Sequence, residues 1–431
     1  MTTRRNVLRL AGALPAAALL AACRPGEAGT GSTDTGTAVG TGPADLLLIE
    51  TASGLSLLDA RAGRIVMAPR DGVVACDGSA IAFGSAGTAG TRLEVLGNTG
   101  ATSYGVGVPG DLRPRVVSPA GANVALASGR SAGATPYRPE GRAQTTVVVA
   151  DRAGESRRVT LPGCVEPEAF SAEGDRLFVL DYLPPQAPDR YRVRALDLAS
   201  GTLQPLLTRD KTVVPAGAEE EMRGEGRQAV FAPSHQQLFT LYTHQPDHLH
   251  TRDLLSGGAR AGKPHVHAFV HTLNLIIGFA YCIDLPAPFG EGPVPAHAIA
   301  LSPAVEDPFV VDATSGTVAR LDGEKLTVAK VGRFRAKSAG GSTAAVVSPD
   351  GITLFIGAGL NLVGVRTSSL ATTSGLTLTA PIRGLGVSAD GARIWVGQPD
   401  RVVALDASSG KEVASLPAPG IVTLGQVSML S

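Results

Sequence analysis

The chain has 431 residues, enough for two or three ordinary domains or for one long repeat architecture. Hydrophobic residues make up 44% and charged residues 18%, which favours a buried core over disorder, and aromatics at 4% leave Val, Leu, Ile and Ala to fill that core. Basic and acidic side chains balance at 38 each and no basic run occurs, so the charge excludes an electrostatic case for nucleic acid.

Residues 1–22 read as an address rather than as structure. Thr3-Arg4-Arg5-Asn6-Val7-Leu8-Arg9 is a positive segment, followed by the weakly apolar run 10–22 and then Cys23. At roughly 13 residues the run is too short to span a bilayer. The segment resembles a twin-arginine export signal centred on Arg4 and Arg5. Val7 stands where that pattern has an aromatic and Arg9 where it has lysine, and the hydrophobicity diluted by Gly12 and Pro15 suits the same route. Leu20-Ala21-Ala22-Cys23 is similar to a bacterial lipobox, whose small residues admit the signal peptidase and whose cysteine takes the lipid. The resemblance implies lipidation of Cys23 and a protein anchored on the extracytoplasmic face of a bacterial cell membrane. Removal of 1–22 leaves 35 basic against 38 acidic residues, a balance of −3. Residues 24–43 are rich in Gly, Thr and Ser and almost free of bulky apolar residues. With Cys23 they form an expected tether (23–43) ahead of a folded body (44–431).

The body repeats a unit that is plainest at 384–417. Four short runs rich in Val, Ile, Leu or Trp are separated by Ala389-Asp390-Gly391, by a Pro-Asp turn at 399–400 and by Ser408-Ser409-Gly410. Four antiparallel strands of this length make one propeller blade. Hairpins echo it at 73–84, 116–127, 169–180, 229–242, 298–311 and 344–357, with turns such as Ser348-Pro349-Asp350-Gly351. A second phrase recurs at Asp197 to Gly201, Asp312 to Gly316 and Asp406 to Gly410. The opening segment, with strands expected at 45–50, 55–60 and 64–68, lacks an innermost strand, while 420–429 is a lone strand after the last unit. Pairing the two closes the ring and removes free sheet edges. The expectation is an all-β fold, a β-propeller of eight four-stranded blades. Seven blades is the alternative, if 293–334 or the first segment is not a separate blade.

These repeats resemble bacterial propellers of the YVTN and WD-like class across 45–431, on the Ser-Pro-Asp-Gly turns and the Asp-x-x-Ser-Gly phrases. Pro167-Glu168-Ala169-Phe170-Ser171 and Cys282-Ile283-Asp284-Leu285-Pro286 are similar to phrases of exported lipoprotein propellers from high-GC Gram-positive bacteria. That resemblance implies a fold and a location and carries no catalytic residue.

All eight histidines fall between His235 and His297. His265, His267 and His271 share one face of a strand expected at 265–275, with Phe269 between them, and residues two apart on a strand lie about 7 Å apart, a workable ligand pair. His244, His248 and His250 lie on or beside an insertion. The candidate ligand-binding residues are therefore His244, His248, His250, His265 and His267. Their spacing matches no metal motif, and Phe269 points to a face that packs on a neighbouring blade, so no metal and no cofactor is expected. With Cys23 lipidated, Cys76, Cys164 and Cys282 allow at most one disulfide, and buried thiols are the plainer reading. Glu219-Glu220-Glu221 reads as a solvated loop. No nucleophile elbow and no phosphate-binding loop occurs, so no catalytic residue is expected.

Insertions at 128–145, 208–226, 243–264 and 286–295 interrupt otherwise short connections; loops beyond about 12–15 residues in compact domains are often functional, and the last of the four is shorter than that and counts for less. The reading is a non-enzymatic binding or protein-interaction module whose face loops engage a protein or a cell-envelope ligand. The alternative is a propeller enzyme of lactonase or quinoprotein type, or a metal-dependent protein using the histidines of 235–297.

Overall fold

The structure is a computed structural model that describes residues 46–426 apart from 89, 98–99, 129–138, 209–218, 220, 223–225, 244–266 and 337–340. Arg4, Arg5, Cys23 and the expected tether lie outside the described residues.

Blade eight shows how sequence makes the unit. Its inner strand Gly384–Val387, second strand Arg393–Gly397 and third strand Arg401–Asp406 are buried on both faces, and each reads as a nearly unbroken apolar run. Its outer strand Glu412–Pro417 alternates exposed and half-buried positions, as a strand with one wet face does. The turn between the first two strands is held by its own side chains. Ser388 Oγ donates to Asp390 Oδ1 at 2.6 Å and accepts from Arg393 N–H at 2.9 Å, and Gly391 sits at φ +70°. The same bonds recur at Ser348 and Asp350 in blade seven. Between the third and outer strands, Asp406 accepts from Ser409 N–H and from the hydroxyls of Ser408 and Ser409, and the chain reverses at Gly410. Asp59 in blade one and Asp197 in blade four make equivalent turns. In blade six the phrase at Asp312 joins the second and third strands instead.

Blades two to seven follow in chain order, with inner strands Gly72–Val74, Leu112–Val117, Cys164–Phe170, Gly226–Ala232, His297–Leu301 and Thr343–Val347. Blade one is composite. Ile421–Gln426 lies innermost and pairs antiparallel with Leu46–Thr51, which is followed outward by Gly54–Asp59 and Arg64–Arg70. The strand expected at 420–429 thus completes the first blade, and 293–334 is a full blade, so the count is eight. A single parallel bridge, Gly384 to Leu424, joins blades eight and one. Each successive pair of blades encloses one apolar cluster, giving eight clusters among the described residues. The cluster between blades eight and one contains Leu47, Ile49 and Leu58 with the lone tryptophan, Trp395, 1% exposed. The protein is a closed eight-bladed β-propeller.

Strand alternation sorts the connections onto two faces. The inner-to-second and third-to-outer turns share one face, called here the turn face. The second-to-third and blade-to-blade connections share the other, the insertion face. All four insertions, the three long ones and the shorter 286–295, join strand ends at the insertion face, on the adjacent blades three to six. Leu46 and Gln426 both lie at the turn face, so the described chain enters and leaves the ring there. No helix of the described residues is long and apolar enough to cross a membrane.

Candidate functional site

All eight inner strands contribute to two adjoining cavities along the ring axis. The larger, about 920 Å³, lies among blades five, six, seven, eight and one; the smaller, about 380 Å³, among blades two to five, with Ala229 and Val230 shared between them. The smaller holds opposite charges through a repeated backbone device. Register shifts between Pro114 and Val116 and between Pro167 and Ala169 leave Arg115 and Glu168 as extra residues on adjacent inner strands, and both line this cavity. A bulge re-aims a side chain, and proline is tolerated on an inner strand because its edge has no ladder partner there. Arg115 is anchored by Glu166, Nε to Oε2 at 3.2 Å, and Glu166 also binds Arg142 at 2.6 Å.

A ladder of ion pairs runs outward from this wall across blade four. Arg190, Arg192 and Arg194 occupy alternate positions of the third strand Arg190–Asp197 and so share one face. Arg192 reaches Asp181 at 2.9 Å and Glu219 at 3.0 Å; Arg194 reaches Glu219 at 2.7 Å; Arg190 reaches Glu221 at 2.6 Å. For Glu219 this corrects the expectation of a solvated acidic loop, whereas the Glu221 side chain is 39% exposed and Glu220 lies outside the described residues. Glu219 and Glu221 are drawn onto the blade because Met222 pairs with Tyr191 by two backbone hydrogen bonds of 2.7 and 3.0 Å, which sets the carboxylates opposite the guanidinium groups.

The histidines do not form one site. Of the candidate ligand-binding set, His244, His248, His250 and His265 lie outside the described residues. His267 is half-buried at the insertion face, just ahead of the strand Phe269–Asn274, which begins later than the expected 265. His235 sits at the opposite, turn face, where its carbonyl accepts from Asn274 Nδ2 at 3.3 Å. His271 is buried with its edge to Tyr242, which stacks on Phe269 at 5.0 Å between ring centroids, and Tyr191 of blade four follows at 5.9 Å from Tyr242. The shared face of Phe269 and His271 therefore packs on the neighbouring blade. His297 is fully buried, accepts from Gly290 N–H at Nε2 (3.0 Å) and lies 3.2 Å from Pro293 O at Nδ1, an arrangement that pins the loop before blade six. Among the described residues no group of three or more His, Cys, Asp or Glu is placed to hold a metal ion.

Cys76, Cys164 and Cys282 are not joined by disulfides, and all belong to, or pack against, the apolar cluster between blades four and five, although they come from blades two, four and five. Burial, reinforced by the charge of Asp77, pushes the Cys76 thiol up to about 12, and burial raises Cys164 as well. Both shifts lower the thiolate fraction at neutral pH.

Sequence reasoning missed the bulged Arg115 and Glu168, the arginine ladder and Arg383, the one ionisable residue in the described lining of the larger cavity. Arg-x-Arg-x-Arg at 190–194 on a strand was the one available signal.

No known protein-family model and no curated protein matches the chain. Among solved structures it is similar to two of Citrobacter koseri AztD, one of them the apo form. Identities are 11% and 9%, 88% of this chain is covered in each case with 97% and 96% of the other, and the TM-scores are 0.52 and 0.53. The likeness is one of fold: the chain shares the β-propeller of those structures.

Proposed function

We propose that the protein is a lipid-anchored extracytoplasmic binding module that engages a protein or cell-envelope partner through its insertion face. The observation that carries this reading is the gathering of the three long insertions and the shorter 286–295 on one face of four adjacent blades, opposite the face at which the described chain enters the ring at Leu46. The Arg4-Arg5 signal and the lipobox ending at Cys23 support the location, by their resemblance to bacterial export and lipidation signals. Loops on a rigid scaffold are the usual carriers of recognition, and a ring sealed by eight apolar clusters is such a scaffold.

The test is affinity capture from crosslinked native membranes with the full chain and with a variant in which 243–264 is replaced by a short turn. Both must show the same cooperative melting. A partner held by the full chain and lost from the variant supports the reading; identical capture by both contradicts a role for that insertion.

A further inference from the structure

The fourth strands of the eight blades form the rim of the ring. Seven of them carry a charged residue or a proline, from Arg64–Arg70 of blade one to Glu412–Pro417 of blade eight. Charge and proline are devices that keep an exposed strand edge from pairing with another chain. The outer strand of blade seven, Thr372–Thr377, has neither. It ends its sheet, so one of its edges has no ladder partner among the described residues.

A cleft of about 690 Å³ follows this strand. Every residue of 371–377 lines it, whereas one face of a strand would contribute alternate residues only, so the strand's edge itself borders the cleft. Gly375 sits mid-strand, where an added Cβ would meet no atom within 4 Å, and the cleft is open there. The Thr373 and Thr377 hydroxyls are used within blade seven, donating to Gly364 O and Asn361 Oδ1, both at 3.1 Å.

The same cleft is positive. Arg333 and Arg335 line it, both exposed, and among the described residues neither makes an ion pair or a side-chain hydrogen bond. No described lining residue carries a carboxylate. Blade six holds these arginines beside the blade-seven strand, because Gly332 packs against Leu370 and Lys330 Nζ donates to Ser368 O at 3.2 Å. Phe334 between the two arginines is buried, so both leave the chain on its exposed side, spaced like alternate residues of a strand, about 7 Å apart. The surrounding sequence carries the same sign. Residues 325–389 hold seven basic side chains and one acidic one, Asp350, in a chain that balances 38 against 38. An open strand edge offers N–H and C=O groups to an extended chain, and guanidinium groups take carboxylates by paired hydrogen bonds.

We propose that this cleft docks an extended acidic peptide segment, added as a further strand beside Thr372–Thr377 with carboxylates two residues apart on Arg333 and Arg335. None of the four insertions lines the cleft, so this surface and the insertion-face reading stand or fall independently.

The probe is a fluorescein-labelled peptide, Thr-Val-Glu-Val-Glu-Val-Thr, titrated with the full chain at pH 7 and followed by fluorescence anisotropy. One comparator has lysine in place of both glutamates, and another keeps the glutamates but is N-methylated at every peptide nitrogen. The probe should bind one to one, more weakly as salt rises, with each comparator at least about tenfold weaker. The double variant Arg333→Gln, Arg335→Gln should lose about tenfold or more, and lysine at both positions should retain part of the affinity. Gly375→Leu, which places its side chain in open space, should also weaken binding while keeping the melting transition. If Gly375→Leu does not fold, the arginine variants decide, since both side chains are exposed and unpaired. Absence of saturable binding by the probe would overturn the proposal, as would an affinity unmoved by the arginine substitutions. Equal binding of the N-methylated peptide would overturn it too, since that marks an anion site without strand pairing.

Discussion

Gly384 and Leu424 meet where the ring closes. They form the single parallel bridge between blades eight and one, and the backbone of Leu424 occupies the space that a Cβ on Gly384 would need. Leu424 also lies against Gly397 and is itself buried, so the last strand is wedged between its own blade and the next. The only way to bring two inner strands this close is to have no side chain at 384.

Gly384→Ala is accordingly expected to destabilise the protein by about 1–3 kcal/mol, since the methyl group meets backbone rather than a movable side chain. Deletion of residues 421–431 should do far more. It strips the inner strand from blade one, exposing Leu47 and Ile49, and should give an aggregating chain without a cooperative transition. Thermal denaturation followed by circular dichroism checks both.

The repeated turns predict an acid-sensitive stability. Asp406 is held down to about 2 by the hydroxyls of Ser408 and Ser409 and by Ser409 N–H. Asp350 and Asp390 are lowered by the Ser348 and Ser388 hydroxyls respectively, then by the N–H groups of Ile352 and Ala392. Folded-state values below the unfolded carboxylate value, about 3.9, mean stability that is complete above about pH 4 and is lost as pH falls through the folded values toward about 2. The triple variant Asp350→Asn, Asp390→Asn, Asp406→Asn should melt lower at pH 6. It should also show a smaller drop between pH 5 and pH 2.5 than the unaltered protein. Melting curves across that range decide it.

The arginine ladder separates structural from peripheral ion pairs. Asp181 and Glu219 are 10% and 14% exposed at their side chains, whereas Glu221 is 39% exposed. Asp181→Asn should cost about 2 kcal/mol or more, because it leaves Arg192 and Arg194 less neutralised in a poorly solvated setting. Glu221→Gln should cost less than about 1 kcal/mol, as exposed pairs do. Urea unfolding of the two variants measures the contrast, and equal costs would show that burial does not set the strength of these pairs.

Blade number and closure were legible because they rest on local chemistry. Ser-x-Asp-Gly and Asp-x-x-Ser-Gly satisfy their own turn hydrogen bonds, so each turn announces itself, and a first unit without an inner strand matches a lone strand at 420–429. The site was less legible because it depends on register and on distant pairing. A bulge at Pro114-Arg115 or Pro167-Glu168 looks like any strand residue until the partner strand is known. Glu219 meets Arg194 across 25 residues of chain, and nothing local marks the meeting. The histidines misled in a simple way. Proximity in sequence across one blade alternates between two faces, which places His235 at one face and His267 at the other.

The central claim is that the insertion face is where the protein meets its partner. Photo-crosslinking side chains placed singly at Glu291, exposed on the insertion face, and at Glu173, exposed on the turn face, test it in native membranes. The account predicts a discrete crosslinked partner from position 291 and none from position 173. Equal products from both positions, or a partner captured only from 173, would contradict it.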